Sequence, residues 1–123
     1  MNQNQKGCFA EHMFAVMAMK NDFNVSMPLL DSSAYDCIIE KNNVLFKIQI
    51  KYLGLHRVEK QKSMQCVLKR DFGGYSLKDV DFFALWYEKG NGFFIIKNKE
   101  QRSIRVSLEG KYKKNFNNFA LIS

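Results

Sequence analysis

Apolar positions along the chain follow first a helical and then a strand period. Phe9, Met13, Val16 and Met17, with Lys20 closing the run, fall at i, i+4, i+7 spacing and predict a helix over residues 6–20. Asn21-Asp22 breaks it. A short extended piece at Phe23–Val25 runs into Pro28, and Asp31-Ser32-Ser33 has turn chemistry. Two strands then flank a turn: Tyr35–Glu40, Lys41-Asn42-Asn43, Val44–Lys51. Asn tolerates left-handed backbone, so Asn42-Asn43 suits a two-residue type I′ turn. Later strands are expected at Met64–Lys69, Val80–Tyr87, Phe93–Lys97 and Ile104–Leu108. Ser76–Asp79 reads as a short helical turn with Ser76 as N-cap, and Lys113–Leu121 as a weak helix. No repeat or linker interrupts the pattern. It predicts a mixed α/β fold, a central mixed β-sheet flanked by helices, in a single domain over residues 1–123.

The second strand alternates cleanly. Val44, Phe46, Ile48 and Ile50 point one way; Leu45, Lys47, Gln49 and Lys51 point the other. A two-residue turn places Asp36 opposite Gln49, and such cross-strand neighbours have Cβ atoms about 4.5–5.5 Å apart. One face of the hairpin would then gather a carboxylate, a carboxamide and an ammonium group. A one-residue slip would dismantle it. The set suits a hard cation: Mg²⁺, with Mn²⁺ as a substitute, takes oxygen ligands and keeps several waters. Asp36 and Gln49 supply side-chain oxygens, and Ile50 can add its backbone carbonyl. Lys51 can orient an attacking water or stabilise a phosphoryl transition state. Glu11, on the predicted helix, can complete the ligand set. The competing structural reading makes Asp36 a turn residue and Gln49 and Lys51 the solvent side of an edge strand.

Charge changes the picture next. The net charge is +7, but it is split. Residues 1–40 carry two bases against five acids, and residues 41–70 carry eight bases against one acid. A basic surface of this kind fits an anionic partner or a merely solvated face. The N-terminal stretch lacks an apolar secretory segment and no apolar run is long enough to span a membrane, so an intracellular protein is expected, cytoplasmic or nucleoid-associated, with no membrane partner. Cys8, Cys37 and Cys66 are odd in number and widely spaced, which fits neither a disulfide framework nor a zinc site; they are expected to be reduced and buried.

The order Gly7…Glu11, Pro28…Asp36, Gln49-Ile50-Lys51 resembles the PD-(D/E)XK nuclease superfamily. Its pattern is an acid at the start of one strand, D/E-x-K on the next, and often a Glu on the preceding helix. The branch it looks most like is that of group I intron-associated homing endonucleases. Lys6-Gly7, Glu11, Val25, Pro28, Tyr35-Asp36 and Ile48–Lys51 match that branch in order. So do Arg70, Tyr75, Val80–Ala84, Phe93–Ile96 and Ile104-Arg105-Val106 downstream, and the likeness spans about residues 6–109. Gln49 departs from the usual acid and removes one anion. Asn24 stands where the branch has Gly, and Tyr35 precedes the acid where the superfamily name has Pro.

The resemblance implies a restriction-endonuclease-like core, double-stranded DNA as substrate, Mg²⁺ as cofactor, and Asp36, Gln49, Lys51 and Glu11 as site residues. Lys47, Arg57, Lys60, Lys62, Arg70 and Arg105 are the expected phosphate contacts, with Arg102, Lys111, Lys113 and Lys114 nearby in the basic C-terminal group. Arg57, His56 and Gln61 are candidates for reading bases. Cutting both strands needs two sites, so a homodimer or homotetramer is expected. Phe82, Phe83, Trp86, Phe93 and Phe94 are candidates for that interface, with ordinary core packing the favoured reading for most of them. A Holliday-junction-resolvase-like nuclease and a decayed DNA-binding protein on the same fold are the alternatives.

Overall fold

The computed structural model describes residues 1–54, 62–70 and 73–123. The first element is a helix, α1 (Gln3–Lys20). It begins earlier than the apolar spacing predicts because Asn2 and Gln5 form a capping box: Gln5 N donates to Asn2 Oδ1 at 2.8 Å and Asn2 N donates to Gln5 Oε1 at 2.9 Å. Asn21 closes the helix, its side chain donating to the Met17 carbonyl at 2.8 Å.

Three strands follow: β1 (Asn24–Ser26), β2 (Cys37–Lys41) and β3 (Val44–Leu53). Asn42 and Asn43 have φ of 53° and 66°, the left-handed pair that a type I′ turn demands. The hairpin register pairs Cys37 with Ile48 and Lys41 with Val44, as the two-residue turn predicts. Short ribbons come next, β4 (Met64–Val67), β5 (Lys69–Arg70) and β6 (Gly73–Gly74), then β7 (Phe82–Tyr87), β8 (Gly92–Lys97) and β9 (Ser103–Val106). Five strands form the central sheet in the order β1-β2-β3-β7-β8. Only the β3–β7 pair is parallel, so the sheet is mixed.

The two faces are covered differently. On one, α1 buries Ala10, Phe14 and Ala18 against Ile48, Ile50, Trp86 and Phe93. The small residues let the helix approach closely, and Phe14 fills the gap between the Phe93 and Phe119 rings at 5.5 Å from each. Phe9 and Val16, expected on the buried stripe, are exposed. The helix is apolar nearly all round, so periodicity alone could not choose its core face.

Among the described residues α1 is the single α-helix, and the second face is covered by the β4–β9 ribbon. Cys66, Ile104 and Val106 pack there against Phe83, Leu85 and Phe94. Ser76–Asp79 forms the expected turn with Ser76 as its cap: the Ser76 hydroxyl accepts from Lys78 N at 3.1 Å, and its carbonyl accepts from Val80 N at 3.1 Å. The 113–121 segment holds two 3₁₀ turns, Lys113–Asn115 and Phe119–Leu121. It shields the β8 edge: Asn117 exchanges two hydrogen bonds with Phe93, and Asn115 donates to the Ile95 carbonyl. Gly92 permits that approach, since a Cβ there would lie 2.4 Å from the Asn117 side-chain oxygen.

Phe82, Phe83, Trp86, Phe93 and Phe94 are all core residues, none more than 5 % exposed, which removes them as an interface. Cys37 and Cys66 are buried, and burial pushes their thiols up to about 12 and about 11. Cys8, expected to be buried, is exposed on α1. Among the described residues no helix is long and apolar enough to cross a membrane.

Two outcomes follow. Asn43→Val should destabilise the protein by about 1–2 kcal/mol, because a β-branched residue cannot enter the left-handed region cheaply, whereas Asn43→Gly should be neutral or stabilising; urea unfolding measures both. A thiol titration of the native protein should count one fast-reacting cysteine, Cys8, and should count all three after denaturation.

Candidate active site

The site forms where β2 begins. Asp36 lies one residue before that strand and grips β3 twice. Its backbone N donates to the Ile48 carbonyl at 2.8 Å, and its Oδ2 accepts from Ile50 N at 2.7 Å. These two bonds reach the residues on either side of Gln49, so Asp36 lies at the β3 edge beside it, just beyond the last ladder pair, Cys37 with Ile48. Backbone groups of successive strand residues point to alternate edges. Lys47 faces β7, where its N donates to Asp81 Oδ2 and its carbonyl accepts from Asp81 N, each at 2.8 Å. Ile48 and Ile50 therefore face the β2 side. The Ile50 carbonyl thus projects from the same edge as its N–H, beside the Asp36 carboxylate.

The side-chain faces agree with the alternation. Phe46, Ile48 and Ile50 join the core under α1. Gln49 and Lys51 project from the opposite face, both half-buried. The Lys51 ammonium lies 5.5 Å from the centroid of the Tyr75 ring. Its positive charge reaches Asp36 and opposes the protonation of that carboxyl.

Glu11 approaches from the helix side. It and Asp36 line one cleft of about 280 Å³ with His12, Asp31 and Tyr35. Both carboxyls are raised above their ordinary range. For Asp36 burial dominates, and the Ile50 N–H and Lys51 pull the other way. For Glu11 burial again leads, the Asp36 and Asp31 charges add to it, and His12 opposes it. Two half-dry carboxylates that repel each other form a site short of positive charge.

The donors present are oxygens: two carboxylates, the Gln49 carboxamide and the Ile50 carbonyl. That chemistry fits a hard divalent cation. The Ile50 N–H occupies one side of Oδ2 and leaves the remaining lone pairs of Asp36 for a ligand. Among the described residues there is no cluster of three or more His, Cys, Asp or Glu able to hold a metal.

The expected phosphate contacts divide three ways. Lys47 is tied into the fold: its ammonium donates to the Lys78 carbonyl at 2.7 Å and lies 5.8 Å from the Tyr35 ring centroid. Lys62, Arg70 and Arg105 are exposed, beside Glu109 at 3.7 Å, Asp79 at 3.8 Å and the Ser63 hydroxyl at 3.1 Å. Arg57 and Lys60, with His56 and Gln61, lie outside the described residues.

Three residues that bear on the site were not singled out by the sequence. Asp81 fastens β7 to β3 next to Gln49. Its signal is an acid directly before a wholly apolar strand. Asn98 is the one buried polar residue among those described, 2 % exposed, and its amide donates to the Tyr75 and Val80 carbonyls at 3.0 and 2.8 Å. Nothing in the local sequence marks it. Asp31 lines the cleft and was read only as a turn residue.

Comparison with known proteins places this geometry. The profile of the PD-(D/E)XK endonuclease family matches residues 1–121. No curated protein matches the chain. Among the solved structures that resemble it are two nucleases. One is the bacterial homing endonuclease I-Ssp6803I, with a TM-score of 0.80 and 21% identity over 98% of this chain and 91% of that one. The other is Hjc, a Holliday junction resolvase from the archaeal hyperthermophile Archaeoglobus fulgidus, with a TM-score of 0.61 and 13% identity over 95% and 94% of the two chains. At these identities the structures establish a shared restriction-endonuclease-like fold, and the profile establishes kinship: the chain is a member of the PD-(D/E)XK endonuclease family.

Proposed function

We propose that the protein is a divalent-metal-dependent DNA endonuclease of the homing type. The observation that carries this reading is the Asp36 carboxylate, bonded to Ile50 N–H at the β3 edge beside Gln49 and within electrostatic reach of both Glu11 and Lys51. Asp36, Glu11, the Gln49 carboxamide and the Ile50 carbonyl would hold Mg²⁺, with Mn²⁺ as a substitute. When bound, such an ion polarises the scissile phosphate and acidifies a water. Asp36 supplies the anion closest to the strand edge. Glu11 closes the cleft from the helix side. The Lys51 ammonium faces the negative charge that builds on the phosphate during attack and holds the incoming water by a hydrogen bond. The exposed cations Lys62, Arg70 and Arg105, with Arg57 and Lys60, would neutralise backbone phosphates, so binding should weaken steeply with salt.

Double-strand cleavage calls for two such sites, and the protein is read as a homodimer or homotetramer on double-stranded DNA. The test is incubation with a randomised duplex library and Mg²⁺, followed by sequencing of the cut ends. A fixed cleavage site supports the homing reading. Cutting confined to four-way junctions would replace it with a resolvase. Tight binding without cleavage in either metal would mark Gln49 as the scar of a lost activity.

Two further outcomes bear on the site itself. Asp36→Asn and Lys51→Met should each lower cleavage by roughly 1,000-fold or more while the far-ultraviolet spectrum and DNA affinity hold, since several kcal/mol of transition-state stabilisation are removed; unchanged cleavage by Asp36→Asn would refute the assignment. In metal-free buffer the raised Glu11 carboxyl gives a signed pH effect. The folded state binds this proton more readily than the unfolded state, whose value is near the ordinary 4.5. The group therefore stabilises at low pH, and that contribution is lost as pH rises through the raised folded value. Glu11→Gln removes the loss. Its melting temperature should match the wild type near pH ~4 and exceed it increasingly toward pH ~7; a constant gap across pH would contradict the upward shift that burial, helped by the Asp36 charge, gives Glu11.

A further inference from the structure

Tyr75 is 7 % exposed and sits on the face of the sheet that carries Gln49 and Lys51. Two cations address its ring: the Lys51 ammonium at 5.5 Å from the centroid and the Arg70 guanidinium carbon at 5.7 Å. The ring is fixed from other directions. It meets Phe83 edge-on at 5.5 Å, and the buried Asn98 amide holds the Tyr75 carbonyl at 3.0 Å. The same amide holds the Val80 carbonyl at 2.8 Å, while the Asn98 side-chain oxygen accepts from Glu100 N at 2.8 Å. The segment carrying Tyr75 is therefore locked to the core by one satisfied polar residue.

A lysine side chain is a flexible four-carbon stem with several rotatable bonds, and its ammonium has no fixed place of its own. A carboxylate would hold it, but would also neutralise the charge that a phosphoryl transition state needs. An aromatic face attracts the ammonium through its quadrupole within about 6 Å and leaves the charge whole. We infer that Tyr75 is the positioning residue of the site: its ring holds the Lys51 ammonium toward Asp36, and sets Arg70 beside the same ring as a phosphate contact. The inference rests on the reading of Lys51 as the transition-state cation.

The test is a series at position 75, measured on whichever DNA the protein cuts. Tyr75→Phe keeps the ring and should retain kcat within about 2-fold. Tyr75→Leu keeps apolar bulk without the quadrupole and, assayed well below its melting temperature, should lower kcat by about 3- to 30-fold, the span expected of a cation–π contact. Progressive fluorination of Phe at this position preserves shape while weakening the ring's negative face; kcat should fall in step with the number of fluorines. A merely structural ring would give no such gradient, and a flat series overturns the inference.

Lys51→Met separates the two readings. If it leaves cleavage intact, the role of Lys51 itself fails; if it abolishes cleavage while Tyr75→Leu matches the wild type, only the positioning role fails. A readout independent of cleavage is the Lys51 Cε proton resonance, assigned by its loss in Lys51→Met. It should be shifted upfield by the ring current in the wild type and return to the ordinary lysine position in Tyr75→Leu. An ordinary position in the wild type would overturn the inference.

Discussion

The bond between the Asp36 carboxylate and the Ile50 amide organises the site. β2 starts at Cys37, so β3 beyond Ile48 has lost its neighbour on that edge. The Ile50 N–H would be left without a backbone partner, and an unpaired buried amide costs as much as a lost hydrogen bond. A carboxylate fills the place of the missing strand. This charge-assisted bond of 2.7 Å fixes both the end of the hairpin and the orientation of the acid. The Ile50 carbonyl, on the same edge, is left facing the region the acid addresses. Had β2 begun two residues earlier, at Tyr35, backbone would pair with these groups and erase the site.

The corner formed in this way explains how a helix on one face and a lysine on the other meet at one carboxylate. Glu11 belongs to the layer under α1, and Lys51 projects away from it. A continuous sheet would separate them. At the end of β2 the separation vanishes, and Asp36 feels both charges. Gln49 fits this crowding. Burial already raises both acids above their usual range, and the Asp36 charge adds to the rise at Glu11. A third would raise them further in the metal-free state. A carboxamide offers a lone-pair donor without that repulsion, at the cost of weaker attraction for a cation.

The hairpin and its register were legible because each depends on local chemistry. Asn42-Asn43 dictates the turn, the turn dictates the pairing, and the alternation decides the faces. The start of α1 was legible in principle from Asn2 and Gln5. Its buried stripe was not, because apolar side chains surround the helix and the choice of Ala10, Phe14 and Ala18 is made by the sheet it lies on. The lack of an α-helix on the second face among the described residues has the same origin: the β4–β9 pairing joins segments some forty residues apart, and no local period announces it. The aromatic strands were ambiguous for a physical reason. A run such as Phe82–Tyr87, buried on both faces, reads the same whether protein or partner covers it.

The second layer does more than cover apolar surface. Asp81 closes the β3–β7 junction at Lys47, Asn98 binds the chain on both sides of the turn at Leu77–Asp79, and Tyr75 leaves that turn pointing at Lys51. The path from the buried Asn98 amide to the Lys51 ammonium involves one backbone carbonyl and one ring. A rigid polar anchor is thus set behind the most flexible side chain of the site. Asp36 needs no such support, because its own hydrogen bond to β3 already fixes it. The two charged groups that a phosphate would meet are therefore held by opposite means, the acid by the strand edge and the base by a ring anchored in the second layer.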